Sequence, residues 1–262
     1  MRRVAVLLLL AGAVLGQAPP PDVGIDQKLD AQVPLDLHFV DDTGKEIELR
    51  DCFRGRPVVL ALVYYRCPML CTLVLNGLVT SLSKIPFDAG TSFDVVAVSI
   101  DPKETPDLAS RKKATLLGAY GRPGAAKGFR FLTGKQDAIR ALAKAVGFRY
   151  AYVPETGQFA HGAGIMVVTP NGKLSKYLYG VTYPDRDLRL ALVEASGEKI
   201  GTLTDQVLLL CLHYDPSTGK YGFVIQGALR IGGILCVAAL GLLVLRMLLK
   251  ERRLRRAQGG GR

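Results

Sequence analysis

The chain has 262 residues, 49% of them hydrophobic and 22% charged, with 29 Gly and 14 Pro; this excludes a disordered or fibrous chain and allows one sizeable domain or two small ones. The formal net charge of +11 would suit a nucleic-acid binder, but the excess sits at the two ends. Residues 17–229 carry 24 Lys/Arg against 22 Asp/Glu, whereas residues 230–262 hold eight Lys/Arg and one Glu beside an apolar run, a pattern of membrane topology and not of a basic nucleic-acid face.

Met1-Arg2-Arg3, the apolar residues 4–15 and the small Gly16 predict a signal peptide over 1–16, cleaved after Gly16. An uncleaved N-terminal anchor is the alternative, and the apolar run is short for that. Residues 17–33 are polar and Pro-bearing and predict a tether.

A domain over 34–200 follows. Residues 35–40 and 46–49 flank Asp41-Asp42-Thr43-Gly44, which reads as a hairpin. Residues 58–65 and 93–100 are continuous apolar runs of buried-strand type. Between them, 71–85 has helical spacing, with Leu75, Leu78, Val79 and Leu82 on one side. Helices are predicted over 104–120 and 135–146, and a short strand over 148–153. Residues 165–169 and 174–180 alternate as strands around Pro170-Asn171-Gly172, and 184–196 closes the pattern as a helix. This order implies an α/β fold, a mixed sheet with helices on both faces.

After a membrane-proximal segment over 201–222, residues 223–249 are apolar except for Gln226, Arg230 and Arg246. They predict a transmembrane helix of about 20 residues whose arginines snorkel at its ends. The basic tail 250–262 then lies in the cytoplasm by the positive-inside rule, and the domain faces outward from the inner membrane, towards the periplasm or cell exterior.

The chemistry centres on Arg66-Cys67-Pro68-Met69-Leu70-Cys71, where a buried strand gives way to a helix. A helix N-terminus favours thiolate. Cys67 and Cys71 are about one helical turn apart, so their sulfurs can converge, either to close a disulfide or to chelate a soft metal ion. Ala160-His161-Gly162-Ala163-Gly164 reads as a flexible loop before a strand, able to aim an imidazole at that helix.

This combination resembles the Sco/SenC family, thioredoxin-like, membrane-anchored copper-binding proteins that assist assembly of the dinuclear copper centre of cytochrome c oxidase. The resemblance runs from about Leu35 to Ile200 and includes Val98-Ser99-Ile100-Asp101-Pro102, Glu104-Thr105-Pro106 and Phe129-Arg130-Phe131-Leu132-Thr133-Gly134. It implies a thioredoxin-like fold and copper, Cu(I) or Cu(II), held by Cys67, Cys71 and His161. It also implies the copper-bearing oxidase subunit as partner, with a thioredoxin-like reductant or another copper chaperone as a further one. Two thiolates suit Cu(I), and the imidazole extends the set to Cu(II). Two other roles stay open for the same cysteines, a thiol–disulfide oxidoreductase that reduces the oxidase cysteines before metallation, and a thiol peroxidase, for which Arg66 alone is a poor activating frame.

Asp101, at the end of a buried strand, is a candidate to orient His161 or a cysteine, with a simple turn or helix cap as the alternative. Cys211 and His213 would share one face of a strand and are a candidate secondary contact, although two ligands alone make a poor site. Cys52 reads as a small buried thiol and His38 as a strand-face residue. The chain departs from the family in its C-terminal anchor, in lacking Trp and in Thr72 after the second cysteine.

Overall fold

The computed structural model describes residues 22–67 and 69–198, with residues 214–215, 220–221, 233 and 246. Three parallel strands build the centre: β4 (Val58–Val63), β5 (Asp94–Ser99) and β6 (Phe129–Leu132). Every residue of β4 and β5 is buried, as expected for parallel strands covered on both faces. Two antiparallel strands, β9 (Gly164–Val168) and β10 (Leu174–Tyr179), extend the sheet from β4, giving the order β10-β9-β4-β5-β6.

Helix α1 (Leu70–Lys84) carries β4 to β5, and α2 (Pro106–Tyr120) carries β5 to β6. Right-handed crossovers taken in one direction put both helices on one face. There α1 packs against α2 and against α4 (Asp185–Ser196), which covers β9 and β10. Helix α1 buries Val74, Leu75, Leu78, Val79 and Leu82, the apolar stripe expected of it. Helix α2 starts with a proline at its first position and stops at Gly121, whose φ of 68° only glycine adopts cheaply. Helix α3 (Gln136–Ala145) packs instead against β7 (Phe148–Val153).

A second, three-stranded antiparallel sheet has the order β1 (Gly24–Ile25), β7, β8 (Gln158–His161). The predicted hairpin is β2 (His38–Val40) paired with β3 (Glu46–Glu48). Asp41 holds its turn: its Oδ1 accepts from the Thr43 N–H at 2.9 Å and the Lys45 N–H at 3.1 Å. In a second compact unit of the chain, β11 (Tyr214–Asp215) and β12 (Lys220–Tyr221) pair antiparallel.

At the start of β5, the fully buried carboxylate of Asp94 meets two guanidinium groups, Arg54 Nη2 at 2.6 Å and Arg56 Nη2 at 2.9 Å. This ties the segment before β4 to the base of the sheet.

The structure differs from the sequence reading in three places. Residues 24–33 are not a free tether, because Ile25 pairs into the second sheet and Val33 is wholly buried. Phe129–Leu132 is a strand of the main sheet. The segment around His161 is not a flexible loop: Gln158–His161 is a strand, reached from β7 through a turn at Gly157 with φ 66°. Among the described residues, no helix is long and apolar enough to cross a membrane. The signal peptide 1–16, Cys211, His213 and the tail 250–262 lie outside the described residues, as does the segment 223–249 apart from Gly233 and Arg246.

Candidate metal centre

Strand β4 ends at Val63, and Tyr64-Tyr65-Arg66 leads to the cysteines. Each backbone N–H from Tyr64 to Cys67 has a defined acceptor. Tyr64 donates to Cys71 Sγ (3.3 Å), Tyr65 to Glu104 Oε2 (2.7 Å), Arg66 to Glu104 Oε1 (2.7 Å) and Cys67 to the Tyr64 carbonyl (3.2 Å). In the first turn of α1, the Cys71 N–H donates to Cys67 Sγ at 3.3 Å. The Thr72 hydroxyl donates to the Cys67 carbonyl (3.2 Å) and accepts from Lys112 Nζ (2.9 Å). The free N–H groups of a helix start are thus turned on sulfur, where they favour negative charge.

His161 ends β8, opposite Tyr150 on β7, and is buried. Its Nδ1 lies 2.8 Å from the Gly162 carbonyl, which can only accept, so Nδ1 carries the proton. In the neutral ring Nε2 then has a free lone pair, and it stands 2.9 Å from Cys71 Sγ. The Cys67 and Cys71 sulfurs and a His161 nitrogen all lie within 4.8 Å of one another. The rings of Tyr64 (centroids 5.9 Å apart) and Phe148 (5.8 Å) flank the imidazole and fix its plane.

The two thiols are electrostatically unlike. Burial works against a thiolate at Cys67, but the Cys71 N–H, the Tyr64 hydroxyl and the Met69 N–H outweigh it, and the thiol falls below its ordinary value. At Cys71, burial dominates and pushes the thiol well up; the Tyr64 N–H only partly offsets it, and a charge on Cys67 adds to the rise. Burial also lowers His161, against the opposing pull of the Gly162 carbonyl, so the imidazole is neutral and ready to donate a lone pair. Cys67 is 7% exposed and Cys71 fully buried, so an incoming ion or oxidant meets Cys67 first.

Of the predicted site residues, the structure brings Cys67, Cys71 and His161 together and leaves Asp101 out. Asp101 Oδ1 accepts from the Lys103 N–H at 2.9 Å, the local turn contact that was the alternative for this residue. The buried carboxylate beside the site belongs to Glu104, which the sequence reading passed over; it also accepts from Ser99 Oγ at 2.6 Å. A polar Ser99 inside an apolar strand, five residues before an acid, was the available signal. Cys52 is buried at the end of a short 3₁₀ turn, and burial pushes its thiol up to about 12. His38 is exposed on β2.

The SCO1/SenC family model matches residues 26–191, from just after β1 into α4. The chain belongs to the SCO1/SenC family. A Stutzerimonas stutzeri protein named for copper binding is 24% identical over 187 residues, which cover 68% of this SCO1/SenC chain and 87% of that protein. Among solved structures, an Aquifex aeolicus VF5 protein named for electron transfer is 26% identical with a TM-score of 0.57, over 66% of this chain and 96% of that one. Arabidopsis thaliana ScoI, solved with copper bound, is 20% identical with a TM-score of 0.51, over 62% and 96% of the two chains; at that identity the likeness is one of fold.

Proposed function

We propose that this SCO1/SenC protein is a membrane-anchored copper chaperone that binds one copper ion through Cys67, Cys71 and His161 and serves the copper-bearing subunit of cytochrome c oxidase. The observation that carries this reading is the convergence of two sulfurs and one imidazole nitrogen within 4.8 Å. The donor set fits copper: two sulfurs suit Cu(I), and the neutral imidazole adds the nitrogen that Cu(II) prefers. The ion is cargo here, taken up and passed on. Signal peptide 1–16 and helix 223–249 would hold the domain outside the cytoplasmic face of the inner membrane, where an oxidising compartment makes the state of the thiols a control on loading.

A second reading, a thiol–disulfide oxidoreductase acting on the oxidase cysteines, is favoured by the inequality of the thiols. A more accessible, more acidic Cys67 beside a buried, less acidic Cys71 is the arrangement of an attacking and a resolving thiol. The readings share one chemistry, because a Cys67–Cys71 disulfide offers no thiolate and would release the metal.

Titration of copper into the reduced protein and its C67A, C71A and H161A variants tests the proposal. Either cysteine variant should lose tight binding, since one soft ligand then remains beside the imidazole. H161A should be mild for Cu(I) and severe for Cu(II). The Cu(II) form should show thiolate-to-copper charge-transfer bands and the Cu(I) form none. If C67A or C71A binds both copper states as tightly as the parent, the copper site is elsewhere and the redox reading takes its place.

A further inference from the structure

We propose that Glu104 is the positioning residue of this site, a buried carboxylate that holds the strand-to-helix turn so that Cys67 meets Cys71 and His161. Its two oxygens accept from consecutive backbone N–H groups, Tyr65 and Arg66, at 2.7 Å each. These are the two residues directly before Cys67. Within the turn, the Cys67 N–H is taken by the Tyr64 carbonyl and the Tyr64 N–H by Cys71 Sγ. Tyr65 and Arg66 are therefore the donors that the turn cannot satisfy from within. The Tyr65 N–H is buried and the Arg66 N–H partly so; a buried N–H without an acceptor is costly, so without Glu104 the turn must rearrange to bring the Tyr65 N–H to water.

The carboxylate is itself held. Glu104 is 5% exposed, its Oε2 accepts the Ser99 hydroxyl at 2.6 Å, and its own N–H donates to the Asp101 carbonyl at 3.1 Å. Ser99 ends β5, the strand beside β4. Glu104 thus ties the turn carrying the cysteines to the end of the neighbouring strand, independently of the hairpin that carries His161. Its hydrogen bonds reach the site through the Tyr65 and Arg66 backbone, and its charge is also felt at Cys71.

The metal readout of this proposal rests on the copper reading above; a metal-free readout does not. In E104Q, the amide replaces one acceptor oxygen and leaves the Tyr65 or the Arg66 N–H unpaired. With folding verified by a cooperative urea transition, E104Q should bind Cu(I) about 10–100-fold more weakly than the parent, the usual range for a group supporting metal ligands. Its Cu(II) charge-transfer bands should shift. In the metal-free protein, the equilibrium of the Cys67–Cys71 disulfide with glutathione should also move by several-fold. S99A, which frees the carboxylate without removing it, should give smaller changes of the same kind, and it carries the test if E104Q does not fold. Copper affinity and glutathione equilibrium unchanged in a folded E104Q, or in S99A where E104Q does not fold, would overturn the proposal. If the parent binds no copper, the copper reading falls, and the glutathione equilibrium alone decides for or against Glu104.

Discussion

His161 Nε2 and Cys71 Sγ face each other at 2.9 Å, with Nδ1 held by the Gly162 carbonyl on the far side of the ring. The proton between sulfur and nitrogen therefore comes from Cys71, and it is the proton that an entering metal ion must displace. The same contact leaves Cys67 as the thiol free to react.

That freedom predicts selective alkylation. Cys67 lies below the ordinary thiol value, while Cys71 and Cys52 lie above it. In the folded, metal-free protein at pH 7.5, iodoacetamide should modify Cys67 before Cys71 or Cys52. Peptide mapping by mass spectrometry checks this; equal labelling of the three thiols would contradict it.

Stability should fall at alkaline pH. Cys52 and Cys71 have folded values raised above the unfolded value of 9.0. Their contribution is intact below pH 9 and is lost as the pH rises from there towards the folded values. Each raised thiol should cost about 1.4 kcal/mol per pH unit in that window. Urea unfolding between pH 8 and pH 10.5 measures the slope. C52A should make it shallower by one thiol's share, and parallel slopes for parent and C52A would refute the assignment.

Removing Asp94 should destabilise the fold while leaving the site intact. D94A leaves Arg54 and Arg56 facing each other at the base of the sheet, where both still reach water with 32% and 23% of their side chains exposed. The cost should lie near the low end for a broken buried pair, about 3 kcal/mol. Asp94 and Ser99 are the two ends of β5, about 17 Å apart at about 3.3 Å per residue, so Cu(I) affinity should be unchanged. Urea unfolding and a copper competition assay test the two halves.

Topology is testable without structure. An alkaline phosphatase fused after Arg262 should be inactive and a cytoplasmic reporter at the same place active, given the basic tail that follows the apolar run. Phosphatase activity from that fusion would reverse the orientation.

The sequence made the long elements legible because burial there is monotonous: Val58–Val63 and Asp94–Ser99 are wholly buried, and α1 repeats its apolar face over fifteen residues. The thiols and His161 were legible because their residue types carry chemistry wherever the chain places them. Phe129–Leu132 was not, being four residues between Gly128 and Thr133, too short to show a period. Gln158–His161 was hidden by the small residues around His161, whose strand character comes from pairing with Phe148–Val153 and not from local propensity. Asp101 drew attention because it ends a strand, yet a short carboxylate there satisfies its own turn. The longer Glu104, three residues on, reaches across to Tyr65 and Arg66, a partnership made only by the tertiary fold.

The donors ride on different sheets, the sulfurs at the head of α1 behind the five-stranded sheet and the imidazole on the β7–β8 hairpin of the three-stranded one. Denticity is thereby separable from thiol geometry. A change confined to the β7–β8 hairpin would therefore bear on the nitrogen, and a change at Glu104 on the sulfurs, so the two kinds of donor can be altered one at a time.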